Sequence, residues 1–396
     1  MKITAIRTVP YWYNLDRPIG DVNLPEGVTV GADLAVFIDT DEGLTGTTIG
    51  ALDAEDPIRR LEGVLRGRDP RSVRGIWNHL FALSFKTGNS GPAKSALSAL
   101  DCALWDLRAK AHGVPLWKEL GGEGRGIRAY ASGLDAPLTD EQLVVFYSRM
   151  AAMGVSAGKL KVGAGPEDDI RRLSLMKHAL SPDGRHVDVM VDANEYWSPK
   201  QAVQRICALE QFFELTWVEE PVRRWDRVGL RRVSDAVRAP IATGENLDDV
   251  HDYVPLVVAG AVDLVQVSHF ASGISGALQV AQLADAFDLP VSLMNCPGRF
   301  MAHLAAALPN HTMMEVLDVG RDAVLACQLA IADGHIVLND NPGSGITFDE
   351  AKLEAHRLTG SRKPSVLADV YRRSDHAGLV GRATARQLGR SKPKEF

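Results

Sequence analysis

The sequence predicts a (β/α)8-type barrel carrying an N-terminal α+β capping domain. Three observations predict it. About eight short apolar runs recur between residues 127 and 317 with helix-sized stretches between them. The preceding hundred-odd residues follow a different rhythm, and acidic residues end three successive predicted strands.

The first segment reads as strands followed by helices. Met1 to Val9 and Leu34 to Asp39 alternate like strands, and Asp41-Glu42-Gly43 turns the chain into a third, short one. Helical patterning covers Pro57 to Arg66. It returns from Pro92 to His112, where Ala96, Leu97, Leu100, Leu104 and Leu107 recur at helical spacing until Gly113-Val114-Pro115 ends the run. We assign residues 1–125 to this α+β cap.

From Ile127 the apolar runs are Ile127–Ala131, Lys159–Val162, Val187–Asp192, Leu215–Glu219, Pro240–Thr243, Val262–Val267, Pro290–Met294 and Met313–Leu317. Stretches such as Asp168–Leu180, Pro199–Phe213 and Gly276–Phe287 have room for helices. Eight such units over 126–340 fit a closed barrel, with a doubly wound sheet as the alternative should the count be wrong. Only a short spacer precedes Ala330–Leu338, which puts the eighth helix in question. Residues 341–396 return toward the cap and end in a basic tail.

Composition narrows the function. The chain has 396 residues, 45% hydrophobic and 24% charged, with a net charge of −6, the balance of an ordinary globular protein. Residues 361–396 hold nine Lys/Arg against three Asp/Glu, leaving about −12 on the rest, so the whole-chain charge calls for neither nucleic acid nor a membrane surface. Cys102, Cys207, Cys296 and Cys327 form no metal-binding pattern and suit reduced thiols. No apolar run reaches membrane-spanning length. A cytoplasmic enzyme is the default expectation.

Asp192, Glu219 or Glu220, and Glu245 end consecutive predicted strands at separations of about one βα unit. Parallel barrel strands all end at one face, so the three carboxylates converge there. Taken singly, each is an acid capping the next helix. Together they suit a hard divalent cation such as Mg²⁺. Glu219 and Glu220 point to opposite strand faces, and periodicity leaves the choice between them open. Lys159 and Lys161, two residues apart at a strand end, share a face. Beside a cation each has a depressed pKa, as a general base requires.

These motifs together resemble the enolase superfamily, in its mandelate racemase-like branch. The resemblance runs nearly to residue 356. It rests on Ser98–Leu107 (SALDCALWDL), Gly158-Lys159-Leu160-Lys161-Val162-Gly163, Val191-Asp192-Ala193-Asn194, Trp217-Val218-Glu219-Glu220-Pro221 and Gly244-Glu245-Asn246. It implies a barrel enzyme that takes the proton α to a carboxylate and stabilises an enediolate on Mg²⁺, chemistry for which that superfamily is a known example. By resemblance, Asp192, Glu219 and Glu245 hold Mg²⁺, Lys161 is the base, Lys159 contacts the substrate carboxylate and Glu315 donates to the developing oxyanion. Ser132 and Asn194 fall at substrate-contacting positions, and Pro18–Asn23 at a loop that closes over substrate. Dimers or octamers are the implied assemblies.

One departure matters. The branch carries Asp at the end of barrel strand six and His at the end of strand seven. Here Ser268 stands for the first, and Met294 or Asn295 for the second. His269 is the nearest substitute acid/base. Asn295 and Arg299, near the barrel mouth, are candidates to contact substrate hydroxyls or a distal carboxylate. With one base in place, the simplest reaction is dehydration of a sugar acid to a 2-keto-3-deoxy acid. Epimerisation or cycloisomerisation is the alternative, and a non-catalytic Mg²⁺ and carboxylate binder a third reading.

Overall fold

The computed structural model describes residues 1–359 apart from 88–89, 164, 272 and 328. The basic tail from residue 361 lies outside the described residues. No helix among the described residues is long and apolar enough to cross a membrane.

The cap begins with an antiparallel meander of β1 (Ile3–Ile19), β2 (Val28–Thr40) and β3 (Thr45–Gly50), followed by α1 (Glu55–Leu65), α2 (Val73–Leu83) and α3 (Pro92–Ala111). Helix α3 lies against β3 so closely that a Cβ on Gly46 would sit 2.3 Å from the Ala103 carbonyl oxygen, so only glycine fits. The first two strands run well beyond the alternation visible in the sequence, because their distal halves cover the barrel mouth and mix polar with apolar residues.

After the short α4 (Leu116–Glu119), eight parallel strands form the body: β4 (Gly126–Ser132), β5 (Ala157–Lys161), β6 (Asp188–Asp192), β7 (Leu215–Glu219), β8 (Ile241–Thr243), β9 (Leu264–Val267), β10 (Val291–Leu293) and β11 (His311–Val316). Each pairs with the next, and β11 pairs back with β4 through Glu315 opposite Tyr130, which closes the barrel. The doubly wound alternative is thereby excluded. Helices α5 (Asp140–Ala152), α6 (Pro166–Leu180), α7 (Pro199–Leu209), α8 (Arg227–Ala236), α9 (Val250–Val258), α10 (Gly273–Asp285) and the four-residue α11 (Ala302–Ala305) follow strands β4 to β10. The strands read as unbroken apolar runs because both faces are covered.

Inside the barrel, Tyr130, Ala157, Met190, Trp217, Ala242, Leu264 and Met313 pack as a separate core beneath the mouth. The Tyr130 and Trp217 rings meet edge-on at 5.3 Å. This layer sets the parity of every strand and so decides which later residues point into the mouth.

Among the described residues no helix separates β11 from the next strand. After the short β12 (Leu325–Cys327), residues 330–337 form a hairpin of β13 (Ala330–Ala332) and β14 (His335–Val337), the latter antiparallel to the start of β4. Asp333-Gly334, both at positive φ, make the two-residue turn that the apolar pattern alone conceals. The chain then forms β15 (Thr347–Phe348) and α12 (Glu350–Ala355) and returns to β1, where the Leu358 amide donates to the Pro10 carbonyl at 2.9 Å.

Cap and barrel are joined by buried polar contacts. Lys94 of α3 pairs with Asp249 at 2.9 Å. Asp101 of α3 accepts from the Ser275 amide at 2.7 Å and its hydroxyl at 2.6 Å. Lys94→Met would strand the Asp249 carboxylate in a partly dry interface. The expected cost is about 3 kcal/mol, measured as a lower chemical-denaturation midpoint. A change below about 0.5 kcal/mol would mean the pair contributes nothing net to the joint.

Candidate active site

The interior parity places the site residues. Two positions beyond the apolar layer along the strands stand Ser132 after Tyr130, Lys159 after Ala157, Asp192 after Met190, Glu219 after Trp217, Gln266 after Leu264 and Glu315 after Met313. Lys161 stands two further. Neighbouring strands keep these in register, with Lys161 opposite Asp192 and Asp192 opposite Glu219. Asp192, Glu219, Glu315, Lys159 and Ser132 are all buried, and Glu245, past the end of β8, is half-buried.

The lysines and carboxylates meet as one network. Lys161 Nζ lies 2.5 Å from Asp192 Oδ2. Lys159 Nζ lies 3.3 Å from the same oxygen, 3.0 Å from Glu315 Oε1, and in contact with Glu219 Oε1. Lys159 also stands 5.6 Å from the Tyr130 ring centroid. Burial works against both ammonium groups, yet the carboxylates outweigh it and raise both pKa values, Glu219 dominating at Lys159 and Asp192 at Lys161. The depressed lysine pKa values expected from the sequence are those of lysines beside a bound cation, whereas here the carboxylates alone set the direction.

The carboxylates divide in the opposite sense. Burial opposes ionisation of Asp192, but Lys161 and Lys159 together hold it below the usual range. Burial, then Asp192, push Glu219 well up, and Glu245 rises chiefly through burial. An all-oxygen set in which two members cannot readily ionise beside the third is one that a hard divalent cation completes. Glu220, beside Glu219, turns away at φ 41° and is held by the Asn246 amide at 2.9 Å. Glu219 instead meets Lys159 and the Gln266 amide.

Across the mouth, Glu315 takes Lys159 on one oxygen and the Asn295 backbone and side-chain amides on the other. Despite burial, Lys159 above all brings its pKa down to about 2. Asn194, at φ 42°, folds its amide back onto Asp192 at 2.8 Å, and its carbonyl accepts from Asn23 Nδ2 at 3.0 Å. That contact seats residues 20–24 over the mouth, with Val22 against Gly163. The loop is thus docked on the barrel.

His269 stands in the cavity wall, 5% exposed, its ring 3.8 Å from that of Phe270 and its Nδ1 without a partner. Burial lowers its pKa to about 3, so it is a neutral imidazole and a weak base near neutral pH. Cys296 is buried and pushed up to about 12 by burial, an inert thiol. Arg299 does not reach the main cavity. Its guanidinium donates to the Leu329 carbonyl at 2.5 Å and lines a smaller cavity of about 320 Å³ beside strand β11.

The main cavity, about 1300 Å³, lies between cap and barrel and takes in Lys161, Asn194, Glu245, Ser268, His269, Met294, Asn295 and Glu315. Sequence reasoning missed three residues around this centre. Gln266 is a polar residue at an inward position of an apolar strand, a signal that was readable. Asp135, which accepts from the Lys161 amide at 3.1 Å and the Tyr147 hydroxyl at 2.7 Å, and Arg321, in the loop after β11, carry no such mark.

Known proteins share this fold. Residues 142–352 match the enolase C-terminal domain-like family, and residues 28–121 the mandelate racemase / muconate lactonizing enzyme N-terminal domain. The chain is 34% identical to 3,6-anhydro-alpha-L-galactonate cycloisomerase of Streptomyces coelicolor, across 86% of this chain and 96% of that protein. It is 34% identical to L-talarate/galactarate dehydratase of Salmonella typhimurium, across 74% of this chain and 73% of that protein. A racemase from Streptomyces coelicolor A3(2), solved with bound magnesium, superposes with a TM-score of 0.83 at 30% identity, covering 90% of this chain and all (100%) of the other.

Proposed function

The chain belongs to the mandelate racemase / muconate lactonizing enzyme branch of the enolase superfamily, and from that premise we propose that it dehydrates a sugar acid to a 2-keto-3-deoxy acid. The observation that carries the reading is the single interior register holding Lys159, Lys161, Asp192 and Glu219.

Asp192, Glu219 and Glu245 would hold Mg²⁺. When bound, the ion supplies positive charge that offsets the carboxylates now retaining the Lys161 proton and polarises the substrate carboxylate. Lys161 then takes the α-proton. The C–H electron pair becomes the Cα–Cβ double bond as the β-hydroxyl leaves with a proton returned by Lys161, and the enol ketonises. Lys159, fixed by Glu219 and Glu315, donates to the carboxylate as negative charge grows on it. The docked 20–24 loop and the cap exclude bulk water from this exchange.

A second reading is ring opening of a cyclic acid, which needs the same base and the same departing β-oxygen. Ser268 and Met294 favour either over racemisation, since neither can take a proton from the opposite face of the α-carbon.

The test is a screen of Mg²⁺-loaded protein against aldonic and aldaric acids, with 2-keto acid read as its semicarbazone. A product in at least one well establishes dehydration and names the acid. No product and no solvent-deuterium incorporation at Cα across the set would rule the reading out.

A further inference from the structure

The cavity that takes in Lys161 is also lined by a cation that the proposed chemistry does not use. Arg321 lines both cavities and donates a hydrogen bond from Nη1 to Asn295 Oδ1 at 2.7 Å. Among the described residues no carboxylate lies within 4.0 Å of it, whereas Arg224 and Arg299 each have one. A guanidinium carries five donors in a planar fork, and one amide oxygen satisfies a single donor. We propose that Arg321 anchors a second carboxylate, so that the substrate is a dicarboxylic acid. This deepens the function proposed above and rests on it.

Distance fits the assignment. Asn295 bridges Arg321 to Glu315, with its oxygen on one and its amide on the other. Two hydrogen bonds and the width of an amide place Arg321 no more than about 8 Å from the Glu315 carboxylate. The terminal carbons of an extended six-carbon diacid lie roughly 6 Å apart at ordinary bond lengths. An acid whose reacting carboxylate meets Lys159 therefore carries its other carboxylate toward the Arg321 fork, which binds such a group bidentately.

Asp33 of the cap lines the same main cavity, its carboxylate accepting the Tyr13 hydroxyl at 3.0 Å. Burial pushes its carboxyl up to about 6, against the opposing pull of Arg321. Asp322 is already engaged by the Gly298 amide at 2.9 Å.

The experiment is calorimetric binding of galactarate and galactonate, which differ only at C6, to the Mg²⁺-loaded protein. The expected result is galactarate binding on the order of 100-fold more tightly. Arg321→Gln should erase that preference, and Arg321→Lys, which keeps the charge without the fork, should reduce it at least about fivefold. Equal binding of the two acids by the wild type would overturn the assignment. So would a preference that Arg321→Lys leaves undiminished, a result that also decides the matter should Arg321→Gln not fold. Solvent-deuterium exchange at Cα keeps the two proposals apart. Preference without exchange sinks the catalytic reading and leaves Arg321 assigned, while exchange without preference does the reverse.

Discussion

Lys161→Ala is expected to lower kcat by about 10³-fold to 10⁴-fold, the range over which a positioned general base acts. The argument is geometric. Lys161 reaches past the apolar layer to the end of β5, its ammonium 2.5 Å from Asp192 and facing the cavity. Lys159, two residues deeper, is fully enclosed by Asp192, Glu219 and Glu315 and has no free approach to a substrate carbon. Lys161→Arg separates base from charge. Arginine keeps the ion pair with Asp192 yet cannot give up its proton, so it should be as inactive as alanine. Both variants should also lose solvent-deuterium exchange at Cα. If Lys161→Arg retains a tenth of the activity, the residue serves as a fixed charge and another group is the base.

Much of this site was legible before the structure because a barrel converts sequence period into position. Spacing alone singled out Asp192, Glu245 and the Glu219/Glu220 pair, the choice within the pair coming from the family resemblance, and a two-residue separation at a strand end singled out Lys159 and Lys161. Strand parity is strict, so one apolar interior residue, such as Met190 or Trp217, fixes which later side chains face inward. Period says nothing of loops. Arg321, Asn295 and the docked 20–24 segment owe their places to backbone turns after the strands, where residues such as Asn194 and Asp318 take positive φ. Charge states were hidden for another reason. The two lysines lie among more carboxylates than their own strand shows, so their pKa direction depends on partners from β6, β7 and β11. The hairpin at 330–337 escaped because short apolar strands and an Asp-Gly turn look much like a failing helix.

The pair Glu219 and Glu220 offers the sharpest test of the metal site, since sequence left the choice between them open. Glu219→Gln keeps the side chain's volume and its contacts with Gln266 and Trp217 while removing a charge from the three-carboxylate set. A hard cation held by oxygen anions loses much of its binding free energy with one of them, so Mg²⁺ affinity should fall at least about 100-fold and turnover with it. Glu220→Gln should be at least ten times milder in both, because that carboxylate is turned toward the Asn246 amide and away from Asp192's inward register. Titrating Mg²⁺ into chelator-stripped protein and following both bound metal and turnover checks the contrast. Chelation alone should abolish turnover, and added Mg²⁺ should restore it in the wild type and in Glu220→Gln. Equal losses in the two variants would move the ligand set off the barrel interior, because only Glu219 shares the inward register of Asp192.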